Sequence, residues 1–192
     1  MAELSTRERI LEATAQLYRR QGMSATGLKQ ISTAAQAPFG SIYHHFPGGK
    51  ESISVEVIRR EGVRYGDFVG IQLADTDPAT GIPRLFENAG ILMESQGYSE
   101  ACSIETIALE VASTNELLRT ETAVVFEDWL SQLARWFGQL DITEQQSRDL
   151  AMCTLTALEG AFVLCRALRS TDPLVAAGHG VQSAVVAALT PA

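Results

Sequence analysis

Tyr43, His44, His45 and Lys50 fall within one short stretch, close behind Thr26, Lys29, Phe39, Gly40 and Ser41. Hydroxyl, imidazole and ammonium groups gathered in this way suit an anion, and phosphate oxygens accept hydrogen bonds from all three without any reading of sequence. Lys50 follows Gly48-Gly49 at the start of a helical pattern, where the helix dipole disfavours a cation. A cation kept there makes sense beside a phosphate; the alternative is an ordinary surface lysine. Gly40 would let a backbone approach a duplex closely, and Ser41 can donate to a base or a phosphate. Phe39 is apolar where a base reader is usually polar. Its natural counterpart is a thymine methyl, or else it is a core aromatic.

No other constellation in the chain rivals this one. There is no Gly-x-Ser-x-Gly elbow, glycine-rich phosphate loop, HExxH or paired Cys/His set, and His44, His45 and His179 make no evident triad. Cys102, Cys153 and Cys165 are odd in number and lack metal spacing, which reads as three reduced thiols in a cytoplasmic protein. No catalytic residue, metal or cofactor is expected. A small helical enzyme and a ligand-independent helical DNA-binding protein stay open as alternatives, the second disfavoured by the acidic body described below. Phe86, Met93, Ile107, Phe126, Trp129, Leu133, Trp136 and Phe162 could line an apolar effector pocket, although stripes at helical spacing are also what a plain core looks like. Glu110 and Glu159 each interrupt an apolar stretch. A buried carboxylate needs a partner, which could be a ligand, a water or an arginine.

The elements that must position these residues are helices. Ser5 and Glu8 match a reciprocal cap, Ile10, Leu11, Leu17 and Tyr18 share one face, and Gly22 ends the pattern. Thr26 is the expected N-cap of a short helix carrying Leu28, Ile31 and Ala35. After a break at Gln36-Ala37-Pro38, a third helix runs from about Pro38 to His45 with Ile42 and Phe46 inward. Two short helices joined by a tight break are the grammar of a helix-turn-helix, whose second helix lies in the major groove. Beyond Lys50, apolar residues recur at helical spacing, broken at Asp75–Pro78 and Gly97–Ser99; Asn115 is placed to cap one long helix and Asp172-Pro173 to open the last. The fold class is all-α: a helix-turn-helix domain over residues 1–50, joined by a long helix to a ligand-binding and dimerisation domain over 51–192. Ala157, Leu158, Gly160, Ala161, Val185 and Leu189 are expected at the seam with a second copy.

Of the 192 residues, 46% are hydrophobic and the formal net charge is -8. That sign argues against nucleic acid until its distribution is considered. Through Lys50 there are six basic residues (Arg7, Arg9, Arg19, Arg20, Lys29, Lys50) against Glu3, Glu8 and Glu12; the remainder is strongly acidic. A basic head on an acidic body fits a chain of which one end approaches phosphate.

Gly22, Thr26, Ile31, the run Gly40-Ser41-Ile42-Tyr43-His44-His45-Phe46-Pro47 and Lys50-Glu51 resemble the N-terminal DNA-binding domain of the TetR family. Pro47–Glu51, Ala101–Ile104, Ala108–Ala112 and Leu158–Ala161 resemble its LmrA/YxaF-like branch. The resemblance implies about nine helices, a homodimer, a palindromic operator and a small-molecule effector that releases a repressor from DNA. It also implies phosphate contacts at Thr26, Lys29, Tyr43, His45 and Lys50 and base-facing positions at Phe39 and Ser41. Two departures bear on the pitch of the reading helix: Gln36 stands where the family usually has glycine, and Pro38 where it usually has a serine-like cap.

Overall fold

The computed structural model describes residues 4–100 and 102–190; Glu3 of the charge balance and Ala101 of the branch resemblance lie outside them. Among the described residues there are nine helices and no strand: α1 (Thr6–Gln21), α2 (Leu28–Ala34), α3 (Phe39–His45), α4 (Gly49–Leu73), α5 (Ile82–Ser95), α6 (Ser103–Val111), α7 (Glu116–Phe137), α8 (Glu144–Leu168) and α9 (Asp172–Leu189). The helix-starting chemistry is largely as the sequence dictates. Ser5 and Glu8 form the reciprocal cap of α1, and the Asn115 side chain accepts the Leu118 N–H at the head of α7. Thr26 does not cap α2. That place belongs to Gly27, whose N–H is taken by the Gln30 side chain at 2.8 Å.

Two compact units form, and they do not divide at residue 50. The first joins residues up to Val63 with Cys102–Val125; the second joins Arg64 onward with Phe126 onward. In the first unit, α1 packs on α2, α3 and α6. Ile10, Tyr18, Ile31, Ile42, Phe46, Ile53, Val57, Ile58, Ile104 and Ile107 are buried there, each contributing roughly 1.5–3 kcal/mol through the area it removes from water. In the second unit α9 packs on α5 and α8. A Cβ on Gly178 would lie 3.0 Å from that of Phe86, so α9 approaches α5 closely because this position has no side chain.

Candidate nucleic-acid interface

The break between α2 and α3 is a closed hydrogen-bonded turn. The Gln36 N–H donates to the Thr33 carbonyl and the Ala37 N–H to that of Ser32, at 3.1 and 3.0 Å, the pair of bonds that ends a helix through a left-handed residue. That residue is Gln36, at φ 50, a conformation costing a non-glycine residue about 1 kcal/mol or more. The surroundings over-determine it. The Ser32 hydroxyl donates to the Ala37 carbonyl at 2.7 Å, and Arg9 Nε to that of Ala35 at 3.1 Å. The turn therefore keeps glycine-like geometry without glycine. Pro38 caps α3 with φ -55, and its carbonyl accepts the Ser41 N–H at 2.8 Å.

Ile42 and Phe46 anchor α3 in the core, which turns Phe39, Gly40, Tyr43 and His44 outward. Phe39 and Tyr43 are 48% and 50% exposed, with rings edge to face and centroids 5.9 Å apart. The core reading of Phe39 is thus set aside. Ser41 and His45 are half-buried at the flank, and Lys29 stands exposed on α2. Tyr43 leans over Gly49, where φ is +61 and a Cβ would lie 3.5 Å from the ring. Lys50, in the first turn of α4, is half-buried; burial pulls its ammonium below the usual lysine range while the Glu110 carboxylate opposes that shift.

Thr26 does not join this surface. Its side chain is fully buried, and its hydroxyl donates to the Gly22 carbonyl at 2.7 Å, so it shapes the α1–α2 turn and cannot reach a phosphate. The basic balance of the head is also largely structural. Arg7 pairs with Glu56 and lies over the Phe46 ring, Arg9 is tied to the backbone of Leu4 and Ala35, and Arg19 pairs with Glu61 at 2.7 Å. Among the described residues, Lys29 and Lys50 are cations beside the α3 surface for which no such ion pair forms.

The ten residues expected to line an effector pocket divide between the two units. Ile107 and Glu110 belong to the first unit. Glu110 accepts the N–H groups of Met23 and Ser24 and the Ser24 hydroxyl, at 3.1, 2.6 and 2.6 Å, so the partner its carboxylate needed is backbone. The other eight lie in the second unit. Phe86 and Met93 are buried on α5, Phe126 packs edge-on against Trp129, and Glu159 and Phe162 are half-buried on α8. Leu133 and Trp136 line a groove of about 310 Å³ with Val69, Gly70, Leu73, Ala74, Gln132, Arg135 and Gln139. The expected dimer residues split as well. Leu158, Ala161 and Val185 are buried within their own chain, whereas Gly160 and Leu189 are exposed and Ala157 is half-buried. The exposed apolar residues of α8 are Met152, Val163, Leu164 and Leu168, and those of α9 are Val175, Val186 and Leu189. Met152 and Val163 lie eleven residues apart, as do Val175 and Val186, about three helical turns, so each pair shares a face.

Residues 10–57 match the family model for bacterial regulatory proteins of the tetR family, and residues 78–179 that for the LmrA/YxaF-like transcriptional regulator C-terminal domain. The chain belongs to the TetR family. It is 28% identical to the HTH-type transcriptional regulator LmrA of Bacillus subtilis (strain 168), the match covering 88% of this chain and 91% of that protein. It is 25% identical to the HTH-type transcriptional repressor DhaR of Mycobacterium sp. (strain GP1), over 91% and 89%. In fold it resembles a TetR transcriptional regulator from Legionella pneumophila, with TM-score 0.80 and 24% identity over 95% of this chain and 98% of that one. As a TetR-family member it is a DNA-binding transcriptional regulator with an all-helical fold.

Proposed function

We propose that the chain acts as a cytoplasmic homodimeric repressor, gripping a palindromic operator and releasing it when a small, largely apolar effector binds. The observation that carries this reading is the leading end of α3, where Phe39, Gly40 and Tyr43 face outward with Lys29 and Lys50 at the sides. Phe39 and Ser41 would meet base edges, with Phe39 against a thymine methyl, and Tyr43, His44, His45, Lys29 and Lys50 would hold phosphates. Residues 1–50 serve the duplex, and 51–192 serve effector and partner copy. Footprinting on the DNA flanking the chain's own gene tests the reading: a protected palindrome supports it, and indifference to every duplex at low salt overturns it.

Lys50→Ala is expected to weaken all sequences alike and to reduce the salt slope of binding by about 0.9, one phosphate's worth of released counterion. An unchanged slope, measured by fluorescence anisotropy across a salt series, would remove Lys50 from the phosphate set.

The partner copy is supported by the outward apolar faces of α8 and α9. α8 is long and apolar enough to cross a membrane by composition, with mean hydropathy 1.5, yet Leu150, Leu155, Leu158 and Cys165 face its own unit while Val163 and Leu164 face out. Apolar residues on both the buried and the outward sides of one helix fit a helix packed on both sides, here in a four-helix seam across a two-fold axis. Two reading helices about 34 Å apart then meet successive major grooves. Leu164→Glu should convert the dimer to monomer in sedimentation and abolish operator binding while the helical content persists. A variant that stays dimeric places the seam elsewhere.

Effector release needs only linkage. An effector that prefers the conformation unsuited to DNA by about 1.4 kcal/mol weakens DNA binding tenfold, and DNA weakens effector binding by the same factor. The groove at Leu133 and Trp136 offers an apolar floor with Gln132, Arg135 and Gln139 as polar groups at its margin, which suits a planar apolar compound bearing a hydrogen-bonding substituent.

A further inference from the structure

The α1–α2 turn contains a small anion site that the chain fills for itself. Gly22 leaves α1 at φ +84, and the next two N–H groups, of Met23 and Ser24, converge with the Ser24 hydroxyl on the carboxylate of Glu110. Consecutive backbone donors arranged around one oxygen pair form a concavity for negative charge. The backbone conformation at Gly22 favours glycine, and a Cβ there would lie 2.3 Å from Glu110 Oε1, so any side chain would also displace the carboxylate from its donors. The same charge acts on Tyr18, whose hydroxyl is driven up to about 12, first by burial, against the Ser54 hydrogen bond, and further by Glu110. It also acts on Lys50. Glu110 belongs to α6, far along the chain from the helix-turn-helix. Close by in sequence, Asn115 Nδ2 donates to Glu51 Oε2 at 2.7 Å in the first turn of α4.

We infer that Glu110 is a positioning residue for DNA binding: its charge fixes the α1–α2 turn, and with it the start of α2, so α6 serves as a strut of the DNA-reading unit. Its other bonds are the local ones from the Gly22 N–H to Tyr18, from Thr26 to Gly22 and Met23 and from the Gln21 side chain to Ala25 and Thr26, with one long contact from the Ser54 hydroxyl of α4 to the Met23 sulfur at 3.5 Å. Three hydrogen bonds to an ionised acceptor are each stronger than a neutral bond, so they dominate the set.

The inference predicts an effect opposite in sign to simple electrostatics. A carboxylate near phosphate-binding groups repels a duplex, so removing its charge should strengthen binding to any DNA if Glu110 acts only as a charge. If it positions the turn, Glu110→Gln should weaken binding to the duplex that the wild-type chain selects from a random pool. The expected loss is about tenfold, the difference between charged and neutral acceptors. Affinity for unrelated duplex should stay level or rise. Amide hydrogen exchange at Met23 and Ser24 should accelerate by about tenfold in Glu110→Gln and further in Glu110→Ala, with α3 unaffected. Should Glu110→Gln fail to fold by circular dichroism, Ser24→Ala, which removes only the hydroxyl donor, gives the same pair of measurements with smaller changes. Unaltered exchange at Met23 and Ser24 overturns the inference, as does a selected-duplex affinity that rises in step with the unrelated one. The inference rests on the regulator reading only for its DNA arm. If the wild type binds no duplex, that reading fails, while the exchange measurement still decides whether Glu110 holds the turn.

Discussion

Replacing Glu61 by alanine is expected to destabilise the N-terminal unit by about 3–5 kcal/mol and to lower the thermal midpoint by roughly 10 °C or more. Glu61 lies on α4 with its side chain 1% exposed, and its Oε2 accepts from Arg19 of α1 at 2.7 Å, the arginine being 11% exposed. Taking two ions out of water is costly, and the bond between them offsets that cost only while both are present. Glu61→Ala leaves the guanidinium in a place water reaches poorly and opens a hole beside it. The double variant Arg19→Met/Glu61→Leu removes both charges at similar volume, and should return to within about 1 kcal/mol of the wild type or exceed it. The pair thus ties α1 to α4 specifically more than it stabilises. Urea titration of the two variants decides the matter: a single variant as stable as the wild type would show that water reaches this pair freely. Because α1 also carries Arg9, which holds the α2–α3 turn, the single variant should lose DNA affinity as it loses stability.

Much of this architecture was legible in the sequence, for identifiable reasons. Helix existence follows from spacing, and spacing survives folding: Ile10, Ile42, Phe46, Ile53 and Ile58 are buried where the period placed them. Caps with a side-chain signature were equally readable, as at Ser5–Glu8 and Asn115. The α2 cap was not, since threonine and glycine both suit that role and Thr26 was captured by the Gly22 carbonyl. Long-range pairing left no local trace. Nothing near Glu110 announces that residues 86 and 87 positions earlier will supply its donors, and nothing near Arg7, Arg9 or Arg19 shows that these charges will be occupied inside the unit. The basic head was therefore a correct pointer for partly the wrong reason, as Arg7, Arg9 and Arg19 support the fold. The α8 faces failed differently. Apolar residues lie on more than one side of this helix, and only packing decides which of them its own chain covers.

Gly40 carries the sharpest contrast between stability and function. It is exposed at the second position of α3, and a Cβ built there meets nothing within 4 Å. Nothing in the folded chain asks for glycine at this site. Glycine in a helix costs about 0.5–1 kcal/mol relative to alanine, so Gly40→Ala should stabilise the protein by up to that amount, read as a higher urea midpoint at unchanged m-value. A residue that weakens its own helix without any intramolecular need invites an external one, and functional sites are where local rules are broken. On the proposed docking, the α-carbon of Gly40, flanked by Phe39 and Ser41, lies against a groove wall, where even a methyl group would hold the reading helix away. Gly40→Leu should therefore fold at least as well as the wild type and bind its selected duplex about a hundredfold more weakly. That corresponds to roughly 2.7 kcal/mol, or one to two lost base contacts. Gly40→Ala should fall between. Both losses should concentrate in specific binding, because the phosphate contacts proposed for Lys29 and Lys50 would be untouched and non-specific affinity comes from phosphate contacts. A Gly40→Leu protein that binds the selected duplex like the wild type would mean that the leading end of α3 does not face the groove, and the assignments of Phe39 and Ser41 would go with it.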